Sequence, residues 1–362
     1  MHPDHPPRRL ASLDTLRGFD MIWILGLESG LRGVLTRFFP DHPVAQFFGG
    51  QLTHVSWAGF HFYDLIFPLF VFLSGMSLAF SLERFMAAGD TRGAMVRLVQ
   101  RGAVLFLLGV FFNAGLRDGF EKIRWLGVLQ RIAITTTATG LLALVFRPRT
   151  LAAAGLALWS VYGGLLLFFP VPSTGHTGFE EGMNLTNWFD QTFLPGRKHD
   201  GTHDPEGILS SIPAIVSALC GYLAGRWMRS SPADTRLRPL IIVGVVCIGL
   251  AWTMHPWVPI IKKLWTPSFV LVTTGWSLLF LAAFSRIFDE RTQPAWSAPL
   301  RWVGSNPIIL YLLSGLGLFR SVAERLCGKN DQPLGWLQPL VAFGVMLLFA
   351  RWLHRRQILL RV

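Results

Sequence analysis

Four residues of one stretch could do chemistry together. They are His54, Trp57, His61 and Asp64, within THVSWAGFHFYDLIFPLFVFLSGMSLAFS over Thr53–Ser81. Their spacings are three, four and three, so a helix running through them would put all four on one side. Two imidazoles and a carboxylate would then share the mouth of a long apolar segment. An imidazole, with an ordinary pKa of about 6.5, can take the proton of an amine or hydroxyl nucleophile, which acyl transfer requires. A neighbouring carboxylate would fix its tautomer and orientation. A second reading stays open, with His54 as an interfacial loop residue and Asp64 as a helix N-terminal charge. His61, between Phe60 and Phe62, reads as packing. Pro68 frees a backbone carbonyl inside the apolar run and can kink it.

The elements that must position these residues are membrane spans. The chain has 362 residues, 51% hydrophobic and only 15% charged, with 14 Trp and 29 Phe. Soluble domains carry about 25% charged residues. Runs long enough to cross about 30 Å of hydrocarbon lie near 18–38, 61–83, 98–115, 127–146, 150–169, 207–228, 239–257, 266–288, 303–320 and 335–354. The expectation is one all-α, polytopic domain over 1–362 with about ten transmembrane helices in a lipid bilayer. Met1 to Arg9 has no cleavable apolar core, so the first run is expected to be retained.

The formal net charge of +12 does not read as nucleic-acid binding, because Lys and Arg sit in short loops between apolar runs. They set orientation instead. With the N-terminus cytoplasmic, the inside set is Arg8, Arg9, Arg84, Arg92, Arg97, Arg101, Arg147, Arg149, Arg226, Arg229, Arg236, Arg238, Arg286, Arg291, Arg301, Arg351, Arg355, Arg356 and Arg361. The smaller outside set is Arg32, Arg37, Arg117, Lys122, Arg124, Arg197, Lys198, Lys262, Lys263, Arg320, Arg325 and Lys329. Both termini are therefore expected in the cytoplasm of a bacterial inner membrane. His54 and the long 170–206 loop then face the periplasm. Trp188, Phe189, Phe193 and Pro195 mark that loop as a packed lid.

Other polar residues sit near span ends. Asp14, Arg17, Asp20 and Glu28 open the first span; Arg17 and Asp20 are spaced to pair, and Glu28 sits deep enough to need a function or an interhelical partner. Gln130 and Arg131, in WLGVLQR, could bind phosphate or carbonyl oxygens, or Arg131 could snorkel. Lys263, with Lys262 in KKLWTPSF, reads equally as an interfacial anchor. Asn306, before Pro307, reads as a helix cap. Three scattered cysteines without CxxC spacing give neither a zinc site nor a disulfide framework, and no metal is expected. Phosphate-loop, GxSxG and HExxH patterns are absent.

Taken in order, SLDTLRGFDMIWILG, HVSWAGFHFYDLIFPLFVFLSGMSLAFS, GVLQRIAI, DPEGILSSIPAI, KKLWTPSFVLVTTGW and GSNPIILY resemble the heparan-α-glucosaminide N-acetyltransferase family over nearly the whole chain. The H-x-x-W-x-G…D-L-I-F-P block is the specific part. The resemblance implies transfer of acetyl from cytoplasmic acetyl-CoA to the amine of a terminal glucosamine, or related amino sugar or glycan, on the far side. It makes His54 catalytic. It puts Glu28, a further catalytic candidate, where the family has an asparagine. A mechanism then follows as an expectation. His54 either deprotonates the amine or carries the acetyl group transiently, and Asp64 orients it. Gln130, Arg131, Ser305, Asn306 and Lys263 contact the donor, and Arg101, Arg97 or Arg238 offset its phosphate charge. The family's dimers imply a homodimer. A transporter of amino sugars or their derivatives is the alternative, against which stands the lack of two related halves; a scaffold or polymer-export partner is a third class.

Overall fold

The computed structural model describes residues 10–113, 119–233, 235–289, 293–328 and 334–359. Arg8, Arg9, Arg117, Arg291, Lys329 and Arg361 of the orientation argument lie outside the described residues, as does the end of the expected 98–115 span. Among the described residues the regular structure is helical, with two isolated β-bridges, Ala58 to Ile261 and Arg124 to Gly196.

In chain order the helices are α1 (Ala11–Ile22), α2 (Glu28–Phe38), α3 (Pro43–Gln51), α4 (Phe62–Ser81), α5 (Glu83–Ala87), α6 (Thr91–Phe112), α7 (Val128–Val145) and α8 (Pro148–Phe168). Then come α9 (Leu185–Phe193), α10 (Ser211–Ser230), α11 (Leu237–Met254), α12 (Pro267–Phe288), α13 (Ala298–Ser305), α14 (Pro307–Gly315), α15 (Leu318–Cys327) and α16 (Gln338–Arg355). Each expected span falls on helix. Seven helical segments among the described residues are long and apolar enough to cross a membrane, and α14 with α15, bent by 57°, makes an eighth if read as one span.

The two expected spans outside that set have physical reasons to differ. The first is divided by a π turn over Trp23–Leu27, where Gly26 sits at φ 109°. Neither α1 nor α2 then approaches the roughly 20 residues a crossing needs. The second, α10, is diluted by Ser, Gly, Pro and Arg. It is buried along most of its length.

The backbone groups into two compact units. Unit 1 comprises Met1–Val55, His61–Phe70 and Phe280–Val362; unit 2 comprises Ser56–Phe60 and Val71–Leu279. Close helix approach organises both. In unit 1 a Cβ on Gly18 would stand 1.7 Å from the Leu300 carbonyl oxygen, and one on Gly304 2.1 Å from that of Asp14, so α1 and α13 meet backbone to backbone. In unit 2 a Cβ on Gly75 would lie 2.0 Å from the Ala218 oxygen and one on Gly221 1.9 Å from that of Phe72. Small residues let helices approach this closely in a bilayer, where packing rather than apolar burial drives association. Gly75→Ala should therefore cost about 1–3 kcal/mol by overpacking, read as a lower unfolding midpoint in detergent; an unchanged midpoint would contradict the α4–α10 contact.

Candidate active site

His54 and Asp64 come together in unit 1, but not on a helix face. A helix through both would separate them by about 15 Å along its axis. Instead the chain is irregular from Thr53 to His61 and α4 begins only at Phe62. The condition for a shared helix face is thus not met over 54–61. The reason lies in Asp64. As the third residue of α4 it reaches back to the His61 backbone N–H at 3.1 Å, the acidic half of a capping box. The same Oδ2 accepts from the Val55 N–H at 3.3 Å, and Oδ1 lies 2.8 Å from His54 Nδ1. One buried carboxylate therefore folds the preceding loop over the start of α4. Gln51 Oε1 accepts the Phe62 N–H at 2.9 Å, and His61 Nδ1 lies 3.0 Å from the Thr53 carbonyl oxygen. His61 is a loop clamp.

Burial and exposure separate the roles of the two partners. Asp64 is 1% exposed, whereas half of the His54 side chain is open. The Tyr63 ring lies against the imidazole, centroids 4.6 Å apart. A carboxylate accepting at Nδ1 fixes the proton there and leaves the Nε2 lone pair as the basic position. Pro68 has no N–H to return to the Asp64 carbonyl, so the first turns of α4 lose a helical bond where the site sits.

The remaining expected residues divide between the units. In unit 1, Glu28 is half-buried just after the π turn, with Oε2 accepting its neighbour Ser29's N–H. Arg17 pairs with Asp14 at 3.3 Å, and its charge also acts on Asp20. Asp20 is fully buried, and neither of its oxygens has a hydrogen-bond partner among the described residues. Asn306 stands between α13 and α14 without capping through its side chain; its Nδ2 donates to the Ile358 carbonyl at 2.9 Å. Ser305 Oγ donates to the Arg301 carbonyl at 2.6 Å and lies 3.2 Å from His354 Nδ1. This pair fastens the α13–α14 break to the end of α16.

In unit 2, Gln130 and Arg131 occupy the first turn of α7, both buried. Neither Gln130 Oε1 nor Nε2 has a hydrogen-bond partner among the described residues, nor have Arg131 Nε and Nη1. Arg131 Nη2 donates to Ser210 Oγ at 2.5 Å, and the guanidinium lies 4.9 Å from the Trp265 ring centroid. Arg131 is thus held inside and does not snorkel. Lys263 Nζ stands 2.8 Å from Glu181 Oε1 and 2.9 Å from Asp200 Oδ2, over the Trp57 ring. Burial alone would lower its pKa, but its hydrogen bonds to Glu181 and Asp200 raise it above the ordinary value. Trp57 Nε1 donates to the Phe179 carbonyl at 2.9 Å. Arg97 and Arg92 border an open cavity of about 590 Å³; Arg101 lies one turn further along α6, exposed.

The sequence reading missed the polar centre of unit 2. Arg124 grips Asp204 with Nε and Nη2, both at 2.8 Å, and Nη2 also reaches Glu206 Oε2 at 2.6 Å. Burial pushes the Asp204 carboxyl up, but the Arg124 hydrogen bond and charge outweigh it and hold the group below its ordinary range. Glu206 has only a single contact to Arg124, and burial raises it. His203 is lowered by burial. The DPEG run was the available signal, with two acids two residues apart ahead of a helix. The 170–206 loop is packed: α9 brings Trp188 against the cluster of Tyr162, Leu166, Val171 and Leu185.

Asp190, on α9, accepts the Ile208 and Asp204 backbone N–H groups. Burial raises its pKa from 3.8 to about 6. A raised carboxyl favours the fold while protonated, so its contribution is fully present below about pH 4 and is lost as pH rises through about 6. The difference amounts to about 3 kcal/mol. Asp190→Asn should match the wild type in unfolding midpoint near pH 4 and exceed it at pH 7.5. Parallel midpoints across that window would refute the assignment.

These apolar helices and this carboxylate-held imidazole define a multi-pass helical membrane protein with a candidate acid–base centre at the start of one span. No family model matches the chain. The chain is similar to the heparan-alpha-glucosaminide N-acetyltransferase of Homo sapiens, 25% identical over 422 residues that cover 98% of this chain and 60% of that protein. It is also similar to the protein of that name from Mus musculus, 24% identical over 417 residues with the same coverage. The chain thus spans about 60% of the length of the curated relatives it matches.

Proposed function

We propose that the protein is a transmembrane acetyltransferase. It takes the acetyl group of cytoplasmic acetyl-CoA and transfers it to the amine of a terminal glucosamine or related amino sugar on the periplasmic side of the inner membrane. The observation that carries this reading is the 2.8 Å contact between His54 Nδ1 and Asp64 Oδ1, in a chain similar along 98% of its length to proteins named as N-acetyltransferases. Acetyl-CoA supplies the activated acyl group. His54 Nε2 takes the proton that the attacking amine must lose as its C–N bond forms and the C–S bond breaks. Asp64 keeps Nδ1 protonated and steadies the imidazolium that results.

Gln130 and Arg131 suit the donor. Four of their buried polar atoms lack a hydrogen-bond partner among the described residues, and each such atom costs about 1–3 kcal/mol unless something satisfies it. The amide and carbonyl groups of a pantetheine arm, or a phosphate, offer the matching chemistry. The test is purified protein with acetyl-CoA and a panel of amino sugars, following release of free CoA thiol. Thiol release that depends on an amino sugar and disappears in His54→Gln is the expected result. Release no greater than in His54→Gln with every amine tried would end the proposal.

A further inference from the structure

The 170–206 loop gathers three metal-type donors that the acetyltransferase reading does not use. Glu181, Asp200 and His203 each offer one atom, and these atoms all lie within 4.8 Å of one another. His203 Nε2 is 3.5 Å from Asp200 Oδ2 and 3.9 Å from Glu181 Oε1. It is buried, His203 being 3% exposed, and has no hydrogen-bond partner among the described residues. The other ring nitrogen, Nδ1, lies 3.1 Å from Thr202 Oγ1. Metal-binding histidines are commonly held in this way, with one nitrogen fixed by a neighbour and the other presenting its lone pair.

Three electron-pair donors within 4.8 Å of one another call for a cation between them. Lys263 supplies part of it, with Nζ 2.8 Å from Glu181 Oε1 and 2.9 Å from Asp200 Oδ2. Nε2 is nevertheless left without a hydrogen bond among the described residues. A tetrahedral zinc ion, with bonds of about 2.0–2.2 Å, brings its donors to about 3.4 Å apart. The two histidine–carboxylate separations are already close to that. The Glu181 side chain is 46% exposed, so it is free to close the remaining gap.

The geometry points to a divalent-cation site of zinc type, formed by Glu181, Asp200 and His203, in which the Lys263 ammonium is a displaceable internal competitor. Two carboxylates and one imidazole suit a first-row divalent ion better than magnesium, which prefers oxygen alone and keeps its water. All three ligands come from one loop between α8 and α10, so the ion would cross-link that loop and stabilise it by mass action.

The experiment uses the full chain in detergent, free of any polyhistidine tag, titrated calorimetrically with zinc chloride alongside thermal unfolding. Gel filtration first confirms that each variant is folded. The wild type should take up one equivalent and unfold at a higher temperature with zinc. Lys263→Met should bind at least tenfold more tightly. Adding His203→Gln to Lys263→Met should weaken binding at least tenfold. Four results would overturn the site: no saturable binding in the wild type and Lys263→Met, equal affinity in the two, affinity in the double variant equal to that of Lys263→Met, or magnesium bound as tightly as zinc.

Discussion

His54→Gln is expected to lower acetyl transfer by about 10²–10⁴-fold, the usual contribution of a positioned general base, and to leave the fold intact. The two halves of that statement have separate grounds. Glutamine can still donate to Asp64 through its amide, so the carboxylate that folds residues 53–61 over α4 keeps a partner. The His54 side chain is half exposed, so the change opens little new cavity. What disappears is the basic nitrogen that Nε2 provided. The loss should therefore fall on kcat, with the apparent KM for acetyl-CoA near the wild-type value. Asp64→Asn is the informative companion. Its amide can also act as a donor, which removes the demand that Nδ1 carry the proton, and activity should fall with His54 still present. A His54→Gln enzyme turning over at the wild-type rate would remove the imidazole from the chemistry.

That pair also shows what could be read from residue order. The residue types and their nearness were legible, because an ionisable pair at the start of an apolar run is rare and demands a partner. Its geometry was not. The helical period places 54, 57, 61 and 64 on one face, yet the same helix would hold His54 and Asp64 apart. Only the tertiary path, with Gly59 at φ 131° and Asp64 gathering the N–H groups of Val55 and His61, brings them into contact. Hydropathy found the helices for a similar reason: apolar length is a local property. It could not show that Gly26 divides the first span, since that break is a matter of backbone path, with Gly26 at φ 109°. Spacing offers Arg17 two acids at equal offsets, Asp14 and Asp20. The structure shows the 3.3 Å pair with Asp14 and an electrostatic influence on Asp20, so spacing could not reveal that both are used. The unit 2 network was least legible, because Arg124 and Asp204 lie 80 residues apart.

Arg124→Ala is expected to destabilise the protein by about 3–5 kcal/mol, more than any surface charge could, because it removes the bidentate cation from buried acids. The Asp204 side chain is fully buried and that of Glu206 is 11% exposed. Neither can turn to water without unpicking the loop, since Asp204 also accepts the His199 and Glu206 backbone N–H groups. Without Arg124 the Asp204 carboxyl loses the influence that holds it low, and its charge becomes a penalty that protonation can relieve. The variant should thus be most impaired near neutral pH and recover part of its stability as pH falls. Lysine at this position should restore only part of the loss, because an ammonium cannot span two carboxylate oxygens as a guanidinium fork does. Combining Arg124→Met with Asp204→Asn and Glu206→Gln should cost less than Arg124→Ala alone, since no charge is then left stranded. Unfolding midpoints in detergent across this series test the argument. If Arg124→Ala unfolds within about 0.5 kcal/mol of the wild type, the range of ordinary surface changes, the network does not hold the 170–206 loop in place.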